Sequence, residues 1–112
     1  MRKNIGEDVT RGVARDNEYI VRSVVRAVRL LELLRLADRG GASLNQLAEG
    51  SGLAKASVFR MLRTLEMTGL VERIPAVERY RLGVRCLEFG QAYLDQTDLR
   101  REALPVMEEL RG

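Results

Sequence analysis

At Gly69 the hydrophobic period of this chain changes from 3.6 to 2, so a helix has to end there and an extended ribbon has to begin. Before the change, in LAKASVFRMLRTLEMTGLV, the residues Val58, Met61, Leu62 and Leu65 recur at i, i+3, i+4 and i+7, the spacing of a helix packed on a core. After it, LVERI alternates, PAVE supplies a turn, and RYRL resumes the alternation with Tyr80 and Leu82 on one side. Two such runs around a turn predict a β-hairpin, with Arg73 and Arg79 near its tip and Gly83 closing it.

The residues upstream supply two further helices. SVVRAVRLLELLRLADRGG carries a helical stripe through Val24, Val28, Leu31 and the Leu34 region, which predicts a helix from Ser23, as N-cap, to about Asp38, stopped by Gly40 and Gly41. In ASLNQLAEGSG, Ser43 followed three residues later by Gln46 is a capping box, and a short helix from Leu44 to Glu49 follows with Leu44, Leu47 and Ala48 facing inward. Gly50 and Gly52 bracket a tight turn, and Leu53 plugs the corner of the core. Residues 1 to 19 lack a hydrophobic period and read as a mobile arm. Downstream of Gly83 a helix is expected from about Val84 to Asp95, and DLRREALPVMEELRG continues as helix with a kink or a fresh start at Pro105.

Composition removes whole classes of chemistry. A chain of 112 residues has room for one modest core. It contains no histidine, so imidazole acid–base catalysis and histidine metal clusters are excluded, and its single cysteine, Cys86, excludes an intrachain disulfide or a cysteine-rich zinc site. No metal, cofactor or catalytic residue is expected, and Glu32, Glu49 and Glu66 read as ordinary helix-surface carboxylates. Arginines interrupt the most apolar stretch, VVRAVRLLELLRLA, before it reaches the roughly 18 residues of a membrane span. The N-terminus has no hydrophobic leader, and a lone thiol suits a reducing cytosol, so a cytoplasmic location is expected. The formal charge is +3, unevenly spread: residues 55–85 hold seven basic groups against three acidic, residues 86–112 three against six. A field concentrated on the helix before Gly69 and on the hairpin permits a polyanionic partner.

Helix, short helix, glycine turn, helix and two-stranded wing, in that order, make a mainly α fold with a small β-hairpin: a winged helix-turn-helix followed by a linker helix. GASLNQLAEGSGLAKASVFRMLRTLEMTGLVER, followed by YRLG and preceded by SVVRAVRLLELL, resembles the N-terminal DNA-binding domain of the IclR family of bacterial transcriptional regulators. The resemblance covers about residues 20 to 110, with the winged domain at 20–83 and linker helices at 84–112. Ala54 stands where proline is common in that family, which lessens the preorganisation of the first turn without forbidding a helix.

The resemblance implies that the helix from Ala54 to Thr68 lies in the DNA major groove with the hairpin on the backbone or in the minor groove beside it. The residue types agree with it. Arg60 and Arg63 are one turn apart on the outward face, and a guanidinium fork can bond guanine O6 and N7 together. Lys55, Ala56, Ser57 and Phe59 occupy the leading end of the helix, with Thr64 on its flank. Ser57 can bond a phosphate or a base; Phe59 can meet a thymine methyl or form the rim of the core. Arg73 and Arg79 are candidates for phosphate contacts from the wing, whereas Gln46 is assigned to capping and Arg22, Arg26 and Arg29 to solvated charge.

Past Gly83 the expected helix has two apolar sides. Gly83, Leu87, Gly90 and Leu94 are expected to face the domain, and Cys86, Phe89 and Tyr93 to form a dimer surface, unless the helix is wedged between two parts of the same chain. Members of the family bind DNA as dimers or tetramers, and two-fold symmetry implies palindromic half-sites in the operator. The family also implies a small-molecule effector, sensed by a larger domain that would begin about where this chain stops. The competing reading is a winged helix used for protein contact without sequence-specific DNA binding; an enzyme has no motif to support it.

Overall fold

A computed structural model describes residues 17–97. After a 3₁₀ turn at Asn17–Tyr19 come α1 (Arg22–Arg35), α2 (Leu44–Ser51), α3 (Lys55–Thr68), β1 (Val71–Ile74), β2 (Arg79–Leu82) and α4 (Arg85–Thr97). The strands pair antiparallel with Val71 opposite Leu82, Glu72 opposite Arg81, Arg73 opposite Tyr80 and Ile74 opposite Arg79. The two runs of alternation therefore form the expected hairpin, and the whole is a mainly helical winged helix-turn-helix. The segment around Pro105 lies outside the described residues, as does the expected arm up to residue 16.

One core holds the body together. Leu30 and Leu34 of α1, Ala42, Leu47 of α2, Val58, Leu62 and Leu65 of α3, Val71 of β1 and Tyr80 of β2 are buried in a single cluster. Each fully buried aliphatic side chain contributes on the order of 1.5–3 kcal/mol. Met61, Leu44, Ala48 and Leu53 pack on the cluster half-buried, as their positions in the sequence predict.

The helix ends follow local chemistry. Ser43 and Gln46 make the reciprocal box: the Gln46 N–H donates to Ser43 Oγ at 3.1 Å, and the Ser43 N–H donates to Gln46 Oε1 at 2.9 Å. Gly69, at φ +86°, closes α3: its N–H donates to Glu66 O at 3.0 Å and the Leu70 N–H to Leu65 O at 3.1 Å, the paired bonds of a Schellman motif.

Three boundaries differ from the sequence reading. Ser23 is not the N-cap of α1; the cap is Val21, with extended backbone and no side-chain bond, and Ser23 lies inside the first turn. α1 also ends at Arg35, before the expected Asp38: the Ala37 N–H donates to Leu34 O at 3.2 Å, an i→i−3 bond that breaks off the α-helical ladder, and a separate turn closed by the Gly41 N–H on Asp38 O at 2.8 Å follows. α2 runs on to Ser51, so Gly50 is helical. A Cβ there would approach the Leu33 methyls at 3.2 Å, so this glycine allows α2 to lie close to α1, and Gly52 alone takes the left-handed turn.

A third strand-like contact was hidden in the sequence. Ala42 bridges Tyr80 in both directions: the Ala42 N–H donates to Tyr80 O at 2.9 Å, and the Tyr80 N–H donates to Ala42 O at 2.8 Å. This pairing binds the wing to the chain between α1 and α2. It requires Gly41, where φ is +86° and a Cβ would lie 2.4 Å from Tyr80 O.

α4 contributes no buried residue. Its start is fixed to the wing: the Gly83 N–H donates to Leu70 O at 2.8 Å, the Arg85 N–H to Gly69 O at 3.2 Å, and the Val84 N–H to Glu72 Oε2 at 3.3 Å. The expected orientation is corrected. Leu87 does not face the body; it is 60% exposed, while Cys86 turns inward with Sγ 3.5 Å from Leu70 O. At 100° per residue, Phe89, Tyr93, Cys86, Gly90, Leu94 and Leu87 fall on one continuous arc of about 160°, so the two expected sides are halves of a single broad apolar face.

Candidate nucleic-acid interface

α3 buries one face and offers the other to solvent. Val58, Leu62 and Leu65 point inward, and Lys55, Ala56, Phe59, Arg60, Arg63 and Thr64 are exposed. Ala54 caps the helix with φ −63° and ψ 142° and no side-chain bond. Ser57 is half-buried. With Arg60, Met61 and Thr64 it forms one wall of a groove of about 640 Å³, whose other wall is Val24, Ala27, Val28 and Leu31 of α1.

Arg60 and Arg63 lie about 60° apart around the helix axis, given 3.6 residues per turn, but their surroundings differ. Among the described residues no ion pair or side-chain hydrogen bond engages the Arg60 guanidinium. The Arg63 guanidinium stands 5.9 Å above the centre of the Phe59 ring, and its Nε is 3.5 Å from Glu66 Oε1. Of the two roles open to Phe59, the structure places it outside the core, 42% exposed and beneath Arg63. Thr64 has its hydroxyl turned back, donating to Arg60 O at 2.9 Å, so toward an outside partner it acts only as an acceptor.

The wing arginines divide. Arg73, opposite Tyr80 and so on the inner face of the hairpin, reaches Glu66 Oε2 with its Nε at 3.8 Å. Arg79 is half-buried and ties the wing to the first helix of the motif: its Nη1 donates to Gly41 O at 3.2 Å and to Gln46 Oε1 at 3.3 Å. Arg81 pairs across the strands with Glu72 at 3.1 Å. Hence Lys55, Arg60 and Arg63 are exposed on α3, Arg73 meets that helix through Glu66, and Arg79 ties the wing to Gly41 and to Gln46 of α2.

Two features escaped sequence reasoning. Glu66, read as ordinary helix surface, lies between Arg63 of α3 and Arg73 of β1, a meeting set by the angle of the wing against the helix. Gln46 serves two partners, the Ser43 amide and Arg79, and only the first has a local signature. Of Cys86, Phe89 and Tyr93, the expected dimer surface, Cys86 lies against Leu70 at the start of α4, and Phe89 and Tyr93, on the same arc of the helix, are 59% and 56% exposed. Among the described residues there is no cluster able to hold a metal ion and no helix long and apolar enough to cross a membrane.

Known proteins share this arrangement. The IclR helix-turn-helix domain family matches residues 23–75. The glycerol operon regulatory protein of Streptomyces griseus is 39% identical over 90 residues, covering 80% of this chain and 35% of that protein. The HTH-type transcriptional regulator KipR of Bacillus subtilis is 40% identical over 89 residues, covering 80% of this chain and 34% of its own length. The crystal structure of an IclR transcriptional regulator from Alicyclobacillus acidocaldarius superposes with a TM-score of 0.70 at 36% identity, covering 78% of this chain and 35% of the other. The chain thus spans about 35% of the length of the curated relatives it matches.

Proposed function

The chain belongs to the IclR family, and on that premise we propose that it is a sequence-specific, DNA-binding transcriptional regulator in which α3 enters the major groove. The free Arg60 guanidinium carries the proposal. A cation on the outward face of an α-helix that is backed by a core, with no acceptor among the described residues, is suited to a bidentate contact with a guanine edge. Lys55 and Arg73 are placed to neutralise phosphates, Ser57 and Ala56 to meet backbone or bases near the start of α3, and Phe59 to orient Arg63. Arg79 holds the wing at its angle to α2.

The exposed part of the α4 arc supports a homodimer, with Phe89 and Tyr93 as its contacts and Cys86, turned toward Leu70, beside Tyr93. A two-fold dimer would read a palindromic operator. Any small-molecule control would act through a domain other than the one described, and no catalytic role is assigned. The location that fits such a regulator is the cytoplasm. A winged helix used only for protein contact is not favoured, since it gives the basic side of α3 no counterpart.

Arg60→Ala tests the reading. Binding to a duplex recovered by the wild-type chain should weaken by about 1–3 kcal/mol, with discrimination lost chiefly at one base pair. Equal affinity and equal base preference in the variant would remove Arg60 from the interface.

A further inference from the structure

Glu66 occupies a position that helix energetics disfavours. It lies in the last turn of α3, where the carbonyl ends of the helix present negative charge and a carboxylate is repelled. Two guanidinium groups offset that: Arg63 Nε at 3.5 Å from one carboxylate oxygen and Arg73 Nε at 3.8 Å from the other. Glu66 is the more sheltered partner, its side chain 25% exposed against 66% for Arg63 and 47% for Arg73. One carboxylate thus joins the recognition helix to the wing, and it engages both cations in the way a phosphate oxygen would.

We propose that Glu66 is a specificity-determining residue that stands in for DNA phosphate, holding Arg63 and Arg73 away from the backbone of non-cognate DNA. This rests on the reading of α3 and the wing as the DNA interface. The physics follows from how the two kinds of binding arise. Non-specific binding comes from phosphate neutralisation, each contact adding to the salt dependence, whereas specific binding adds contacts to base edges. A guanidinium already facing a carboxylate gains little by exchanging it for a phosphate, so the non-specific term is held down. The contacts at 3.5 and 3.8 Å are long for charge-assisted hydrogen bonds and exposed pairs of this kind are weak, so the damping of phosphate binding is modest, and a cognate site that adds a bidentate base contact to Arg63 outweighs it. Phe59, 5.9 Å beneath the Arg63 guanidinium, keeps the side chain in place during the exchange.

The test uses Glu66→Gln, which removes the charge and keeps the stem, in the full chain. Affinity is measured by fluorescence anisotropy over a range of salt on a 20-base-pair duplex of mixed sequence and on a duplex selected by the wild type. With Glu66→Gln, affinity for the mixed duplex should rise about three- to tenfold at low salt, and the log–log salt slope should steepen by about 0.9 for each newly engaged phosphate. The ratio of selected to mixed affinity should fall, and Arg73→Ala added to Glu66→Gln should reverse most of the gain. A purely structural role would leave the salt slope unchanged. An unchanged slope and ratio, with wild-type binding intact and the variant folded by circular dichroism, would overturn the role of Glu66 and leave the DNA reading standing. Failure of the wild type to bind either duplex would overturn both.

Discussion

Replacing Gly41 by alanine should be among the most damaging conservative changes available to this domain. The added methyl meets Tyr80 O at 2.4 Å, and the backbone at φ +86° is one that an L-residue avoids. A residue with a Cβ loses about 1–2 kcal/mol in the left-handed region. Relieving the contact means opening the Ala42–Tyr80 bridge, whose two hydrogen bonds at 2.9 and 2.8 Å each contribute about 1 kcal/mol net. The stiffer unfolded chain returns about 0.4–1 kcal/mol. The sum is a destabilisation of about 3 kcal/mol, or about 12–24 °C in Tm for a domain of this size, a large part of a typical total of 5–15 kcal/mol. Urea and thermal unfolding followed by circular dichroism would measure it. Two controls separate the contributions: Gly52→Ala, at φ +73° with open space around it, should cost about 1 kcal/mol, and Gly40→Ala, with neither constraint, should stay within about 0.5 kcal/mol of wild type. If Gly41→Ala were no more destabilising than Gly52→Ala, the close approach to Tyr80 would not be what demands glycine.

Three further changes address caps, the start of α3 and assembly. Ser43→Ala removes the acceptor of the Gln46 N–H and should lower stability by about 1 kcal/mol in the same unfolding assay, with little change in DNA contacts. Ala54→Pro should raise stability by about 0.4–1 kcal/mol, because φ is already −63°, the value a proline ring imposes; a lower Tm would mean that the amide or the preceding residue cannot accept the ring. Phe89→Asp should halve the solution mass measured by light scattering while leaving the melting of the body unchanged, and an unaltered mass would place the dimer contacts elsewhere.

Much of the fold was legible because its signals are local. The capping box at Ser43 and Gln46, the stop at Gly69 and the change of period after it each lie within a few residues, and each appears where the sequence places it. Pairings between distant segments were not legible. No pattern within the chain announces that Ala42 bridges Tyr80, that Arg79 reaches back to Gln46, or that Glu66 meets Arg73 from another element. The orientation of α4 was misjudged for a related reason. Its apolar residues fill about 160° of the helix, so periodicity could not say which part of that arc meets the body, and the backbone bonds around Gly69 and Gly83 decide it. In the candidate interface, periodicity identified the outward face of α3, while the difference between a free Arg60 and an engaged Arg63 depends on side-chain neighbours that only the structure reveals.

The most direct test of DNA recognition by α3 is a selection of bound duplexes from a randomised pool by the purified chain near physiological salt, run in parallel with Arg60→Ala. The account expects the wild type to enrich one motif with two inverted half-sites, each containing a guanine whose preference disappears in the variant. Enrichment of no motif, or of an identical motif by both proteins, would contradict it.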